Sequence, residues 1–387
     1  MPRLPFAVYR HALKVKIARR LGRGADPYLP LPEGALLSPS LGIAAAYDGA
    51  PRRLGFPARG PLSPEAWQAQ ARAKLAELTG YAAKRPIPEV TIQKGEVAVG
   101  DGIVRHSVYL RIRPDTDLPV HLVYRPGLTQ PAPVFLHLAG STSGVHLGWG
   151  EAKVPIDHQR IAIGADMARQ AAQRGYLAVS IEQIGYGERG ERHLAKPSPN
   201  RTIDAANHLL LLGRTLMGDG AGDVSAALDW LLSGNGPLTA DPDRIFLFGH
   251  SAGGTLAQYA AALDVRIRGV LASGSVGPVR QTIGARGAGG GDGIVPGLLN
   301  WFDTPDLIAL VAPRVFVGLS GDRDHIFPAS GIETVVDQAR PFFALCGAAD
   351  KVQAISVDGP HQYHAAASWD AWTRWIDPPP AHSPQTS

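Results

Sequence analysis

The sequence predicts an α/β protein: a mainly parallel sheet of about eight strands, helices on both faces, and an N-terminal helical arm. Three observations carry that expectation. From residue 133 onward, apolar stretches of strand length alternate with helix-forming stretches, the pattern of a parallel sheet covered on both sides. Before it, residues 90–99, 107–112 and 120–124 are extended segments separated by Gly, Asp and Pro turns, which read as an antiparallel lead-in. The stretch 244–254, RIFLFGHSAGG, runs from a buried strand through a tight turn into a helix.

The elements follow in order. Residues 1–62 form the arm. Its first 25 residues carry Arg3, Arg10, Lys14, Lys16, Arg19, Arg20 and Arg23 and no acid, and the next stretch is rich in Pro, Gly and Ala. It has no apolar signal core or small-residue cleavage site, so it is not a secretory leader. A solvated arm or a subunit contact is favoured over an arm lying on a membrane surface, and a subunit contact would give a homodimer through the arm. A helix starts at the capping Ser63 with Pro64 and Glu65 behind it, runs through AWQAQARAKLAEL and stops at Thr79-Gly80. After the lead-in come a strand at 134–138, a helix at 164–174 and a strand at 176–181. A long helical stretch at 205–232 is expected to break at Gly218-Asp219-Gly220. Strand 245–248, the helix after Ser251, strands 269–272 and 314–319, helix 332–345, strand 352–357 and a closing helix at 365–375 complete the body, taken as 63–376. Residues 377–387 read as a disordered tail.

Composition narrows the function. With 45% apolar and 19% charged residues this is an ordinary globular chain, and a net charge of +4 concentrated in the arm leaves no basic patch for nucleic acid. No apolar run is long enough for a membrane span. The single Cys346 excludes an internal disulfide, and a cytoplasmic location is expected. H-E-x-x-H and Cys/His clusters are absent, so no metal or cofactor is expected.

The chemistry gathers at Gly249-His250-Ser251-Ala252-Gly253, which fits the G-x-S-x-G elbow. A turn this tight brings the residues two before and two after the serine close together, so both are glycine. The hydroxyl then stands clear of the sheet at the positive end of a helix. A serine is a poor nucleophile without a base in hydrogen-bond reach. Behind such an elbow the partners come in the order Ser, acid, His. The acid follows strand 314–319 in GDRDHIFP, where Asp322 and Asp324 both qualify. Asp324 is preferred because it opens the D-x-x-x-P run into the next helix; Asp322 is then a turn residue and His325 an outside contributor. The histidine follows strand 352–357 in DGPHQYH: His361, nearer the strand end, is preferred to His364, which begins the closing helix. An oxyanion needs two donors. One is the amide of Ala252; the other is expected from Ala139 or Gly140 in the loop AGSTSG. Lid-like loops at 141–163, 182–204 and 284–301 offer Ser141, Trp149, Tyr186, His250 and Trp301 as substrate contacts.

With FLHLAGS, AVSIEQIGYGERG, DPDRIFLFGHSAGG, GDRDHIFP and DGPHQYH in this order, the chain resembles the serine α/β-hydrolases of the dienelactone-hydrolase and acetyl-xylan-esterase-like group over residues 63–376. It departs from the H-G-x-G of many relatives in having Leu138 in place of the first glycine, and in the Gly-rich stretch 284–293. The resemblance implies a serine-dependent carboxylic ester hydrolase acting through an acyl-enzyme on a small or acylated ester, such as an acetylated carbohydrate. The alternatives are a serine peptidase, an amidase, an acyltransferase with the same triad, or a silent hydrolase fold used for binding.

Overall fold

The computed structural model of the protein describes residues 32–286 and 293–378, with residues 10, 13, 14, 16–18 and 21 before them. Of the expected 377–387 tail, Asp377 is instead held in place, its carboxylate accepting from Tyr176 and Arg244 at 2.7 Å each; residues from 379 on, and residues 287–292 of the glycine-rich stretch, lie outside the described residues. The chain divides into a short unit, Met1–Ala46, and a body, Tyr47–Ser387. Residues 47–62, expected in the arm, belong to the body. Phe56 lies edge-on to Trp67 and Phe342, and its amide donates to Asp306.

The body is built on one sheet of nine strands, one more than expected: β1 (Glu89–Gly100), β2 (Ile103–Arg113), β3 (Thr116–Tyr124), β4 (Ala132–Leu138), β5 (Leu177–Ile181), β6 (Ala240–His250), β7 (Gly269–Ser273), β8 (Val315–Gly321) and β9 (Val352–Val357). Their order across the sheet is β1-β2-β3-β5-β4-β6-β7-β8-β9. β1, β2 and β3 pair antiparallel, and β3 meets β5 antiparallel; from β5 to β9 every pairing is parallel. The two-residue period divides the central strands between two cores. Val134, Leu136 and Leu138 of β4 and Ile245 and Leu247 of β6 enter one core with Trp67, Trp230 and Phe342. Phe135, Phe246 and Phe248 enter the other with Trp369 and Trp372.

The helices cover both faces. Pro64–Thr79 begins on the Ser63 cap, which accepts the Ala66 amide, and ends on Gly80 in the left-handed region at φ 72°. The expected long helix at 205–232 is two helices, Ile203–Leu211 and Leu216–Leu232. The break falls at 212–215, where Thr215 accepts the Gly218 amide, and not at Gly218–Gly220. Those glycines serve close approach instead: a Cβ on Gly218 would strike the Thr79 carbonyl, and one on Gly220 would lie 2.8 Å from Leu256. Between β4 and β5 the sequence hid a helix, Pro155–Ala162, and the expected 164–174 helix is shorter, Met167–Gln173. The closing helix, Ala365–Ala371, continues as a π-helical turn, Trp372–Ile376. Among the described residues no helix is long and apolar enough to cross a membrane.

Candidate active site

Ser251 sits between β6 and the helix Ala252–Leu263. Its backbone has φ 51° and ψ −120°, a strained conformation for a residue with a Cβ. The neighbouring glycines are what allow it. A Cβ on Gly249 would collide with the Gly253 backbone, and one on Gly253 with the carbonyls of Leu138 and Ala139. The elbow is thus wedged against the end of β4. As the first residue of the helix, Ala252 has no carbonyl one turn earlier to receive its N–H.

The acid and the base arrive from the next strands. Asp324 follows β8 and His361 follows β9. Their loops are pressed together: a Cβ on Gly321 would run into the Gly359 carbonyl. Backbone bonds join Asp322 to Val357 and Arg323 to Gly359, and the Asp322 carboxylate accepts the Gly359 amide at 2.9 Å. His361 Nε2 lies 3.0 Å from Ser251 Oγ, and His361 Nδ1 lies 2.7 Å from Asp324 Oδ2. Asp324 is 4% exposed. Its other oxygen accepts the amides of Ile326 and Phe327, each at 2.8 Å, and the Ser320 hydroxyl donates to Oδ2. Burial pushes this carboxyl up, but the bonds from His361 and the two amides outweigh it, so it stays below the usual aspartate range.

The structure therefore brings Ser251, His361 and Asp324 into one hydrogen-bonded line. Asp322 and His364 lie outside that line. Asp322 is the clamp on the His361 loop, and His364 Nε2 sits 3.1 Å from the Pro360 carbonyl. His325 is exposed. Gly140 lies over the elbow, where an added Cβ would be 3.3 Å from Ser251 Cβ. Its amide, however, already donates to the Tyr363 hydroxyl at 3.2 Å. The Ala139 carbonyl accepts from Gln183.

A cavity of about 640 Å³ opens above the serine. Ser141, Tyr186 and His250, three of the residues expected as substrate contacts, line it, and Tyr186 donates to Ser141 at 3.0 Å. His250 is buried against Tyr363, 4.0 Å between ring centroids, and burial pushes its imidazole down to about 3, so it stays neutral. Two expected contacts are elsewhere. Trp149 lines a separate cavity between β2 and the two loops, its ring flanked by His121 and by the Arg105 guanidinium. Trp301 lies under Lys74 and Arg53 and is absent from the lining of the cavity over Ser251.

Sequence reasoning missed the groups that hold the two upper loops. Glu182, 3% exposed, accepts the amides of Val145 and Glu188 and so ties 141–163 to 182–204. Arg189 pairs with buried Asp223 at 2.6 Å and donates to the Glu182 carbonyl, anchoring the second loop on Leu216–Leu232. Tyr363 was also missed, although its place two residues after His361 was visible.

Comparison with known proteins fits this architecture. A family described by the α/β-hydrolase fold matches residues 218–281. A Bacillus subtilis (strain 168) protein provisionally named the hydrolase YtaP is 27% identical over 300 residues, 76% of this chain and 94% of that protein. A Bacteroides fragilis structure provisionally described as an acetyl xylan esterase superposes with a TM-score of 0.65 at 18% identity, covering 88% of this chain and 86% of that one. A glucuronoyl esterase from Teredinibacter turnerae gives a TM-score of 0.60 at 19% identity, covering 93% and 97%. In sheet order, in elbow and in these likenesses, the chain is a protein of the α/β-hydrolase fold.

Proposed function

We propose that the protein is a serine-dependent carboxylic ester hydrolase. The observation that carries the reading is the unbroken bond line from Ser251 through His361 to Asp324, opening on one cavity. In this reading His361 Nε2 takes the serine proton as Oγ attacks the ester carbonyl. Asp324 holds His361 in the tautomer with its proton on Nδ1 and stabilises the charged ring that forms. The N–H of Ala252 receives the developing oxyanion at the helix N-terminus. The carbonyl re-forms as the alcohol leaves, taking a proton from His361. Water then repeats the sequence on the acyl-enzyme and frees the acid.

The substrate class is read from the lining. Arg160, Asn200, Arg201 and Gln362 face the cavity beside apolar Ile163 and Phe327. Such walls suit a short acyl group on a polar alcohol, such as an acylated carbohydrate. The names of two solved neighbours, an acetyl xylan esterase and a glucuronoyl esterase, support esters of carbohydrates. The test is hydrolysis of a p-nitrophenyl series from acetate to octanoate by wild type and Ser251→Ala, followed by acetylated sugars. Activity on short esters that vanishes in the variant is expected. Amide turnover matching ester turnover would favour a peptidase or amidase. Failure of a fluorophosphonate to label Ser251 would leave a silent binding fold.

A further inference from the structure

We propose that the hydroxyl of Tyr363 is the second oxyanion donor, standing where a backbone amide of the β4 loop would be expected; this rests on the ester-hydrolase reading above. Gly140 is the loop residue lying over the elbow: an added Cβ would sit 3.1 Å from the His250 ring and 3.3 Å from Ser251 Cβ. Its N–H is thus well placed for an oxyanion, yet it donates to Tyr363 Oη at 3.2 Å. A phenol that accepts an N–H keeps its own proton to donate. Among the described residues no acceptor takes that proton. Tyr363, Gly140, Ser251 and Ala252 all line the same cavity.

The ring is fixed. Tyr363 is 5% exposed and lies against His250, whose ring is in turn 5.3 Å from that of His361. The histidines are confined from the other side by Gly274, where a Cβ would come within 3.2 Å of His361 and 3.3 Å of His250. A rotamer locked this way requires no reorganisation as charge develops. Burial also pushes the phenol up to about 12, so it stays protonated while it donates. The Gly140 N–H polarises the hydroxyl further, because a donor that is itself accepting becomes a stronger donor. During attack, the Ser251 Oγ–C bond forms, the carbonyl π pair moves onto oxygen, and the serine proton goes to His361 Nε2. Tyr363 donates a hydrogen bond to that oxygen and keeps its proton throughout.

Tyr363→Phe keeps the ring against His250 and removes only the hydroxyl. We expect kcat on p-nitrophenyl acetate to fall about 10²- to 10³-fold, with KM within about threefold. Affinity for a trifluoromethyl ketone, which forms an oxyanion on Ser251, should fall in parallel with kcat/KM, while binding of an uncharged substrate-like amide should not change. A variant within about threefold of wild type in kcat overturns the proposal. So does a variant that loses KM and ketone affinity without losing kcat, which would mark a packing role. Should the Phe variant fail to fold, 3,5-difluorotyrosine installed at 363 alone keeps the ring and a more acidic hydroxyl. An unchanged kcat in that protein also overturns the proposal. If wild type hydrolyses no ester and Ser251 takes no fluorophosphonate, the ester-hydrolase reading itself has failed, a result distinct from a full-activity Tyr363→Phe enzyme.

Discussion

Asp324→Asn is the sharpest perturbation of the bond line, because the structure dictates which way the new amide must face. In wild type, Asp324 Oδ1 accepts two backbone N–H groups at 2.8 Å, from Ile326 and Phe327, while Oδ2 accepts from His361. An asparagine with its NH2 toward the two amides would strand both in a partly buried loop. At about 1–3 kcal/mol for each unmade bond, that orientation is disfavoured by about 2–6 kcal/mol. The carbonyl oxygen therefore stays on the amides, and the NH2 turns toward His361 Nδ1. Ser320 adapts, because its one hydroxyl proton, shared in wild type between Oδ2 and the Phe327 carbonyl, can stay on that carbonyl at 2.8 Å while its oxygen accepts from the new NH2. Facing a donor, Nδ1 must give up its proton, and the ring carries it on Nε2 instead. Nε2–H points at Ser251 Oγ and cannot accept from it.

The expected outcome is a kcat lower by about 10³- to 10⁴-fold, with KM and melting temperature nearly unchanged, measured on p-nitrophenyl acetate with thermal melts beside it. Asp322→Asn is the internal control. Asp322 is half exposed; its carboxylate accepts the Gly359 amide, which an asparagine oxygen also does, and lies 3.5 Å from the exposed Arg323 guanidinium, a solvent-screened pair away from the bond line. Its kcat should stay within about threefold of wild type. An Asp324→Asn enzyme within tenfold of wild type, or an exchange of the two phenotypes, would refute the assignment.

Two further outcomes follow. Burial pushes the Glu182 carboxyl from 4.5 to about 7, against the opposing bonds from the amides of Glu188 and Val145. Below about pH 4.5 both folded and unfolded chains hold the proton. Between there and pH 7 only the unfolded chain releases it, so stability falls as pH rises. Urea unfolding should show wild type losing about 3 kcal/mol more than Glu182→Gln over that interval, and parallel curves would refute the buried, protonated carboxyl. Gly253→Ala places a methyl against the Leu138 and Ala139 carbonyls and should destabilise the fold by about 3 kcal/mol or more in thermal melts. A melting temperature matching wild type would mean that the elbow and β4 are not wedged together.

What was legible in the sequence follows the range of the forces involved. β9 matches its predicted limits, and the Pro64–Thr79 helix matches start and stop, because a local apolar run, a capping serine and a left-handed glycine are written within a few residues. Ser251 was legible for the same reason: strand, turn and helix are contiguous. The misplaced break at Gly218–Gly220 shows the limit of local reading. A glycine needed for a turn and a glycine needed for close helix packing look identical until the Thr79 carbonyl and Leu256, remote in sequence, are known to lie against it. Trp149 and Trp301 lie outside the lining of the cavity over Ser251 on the same ground. An aromatic residue in a loop after a parallel strand predicts packing of some kind, but only the fold decides whether the ring meets the cavity or a guanidinium. The Gly140 amide is the most instructive case. Its small-residue loop and its position after β4 made it a candidate oxyanion donor, and the structure puts it over Ser251. What local reading could not supply was the competitor. Tyr363 reaches Gly140 from 223 residues away and takes its N–H. A backbone donor is available to a substrate only if no side chain from elsewhere in the chain has claimed it first.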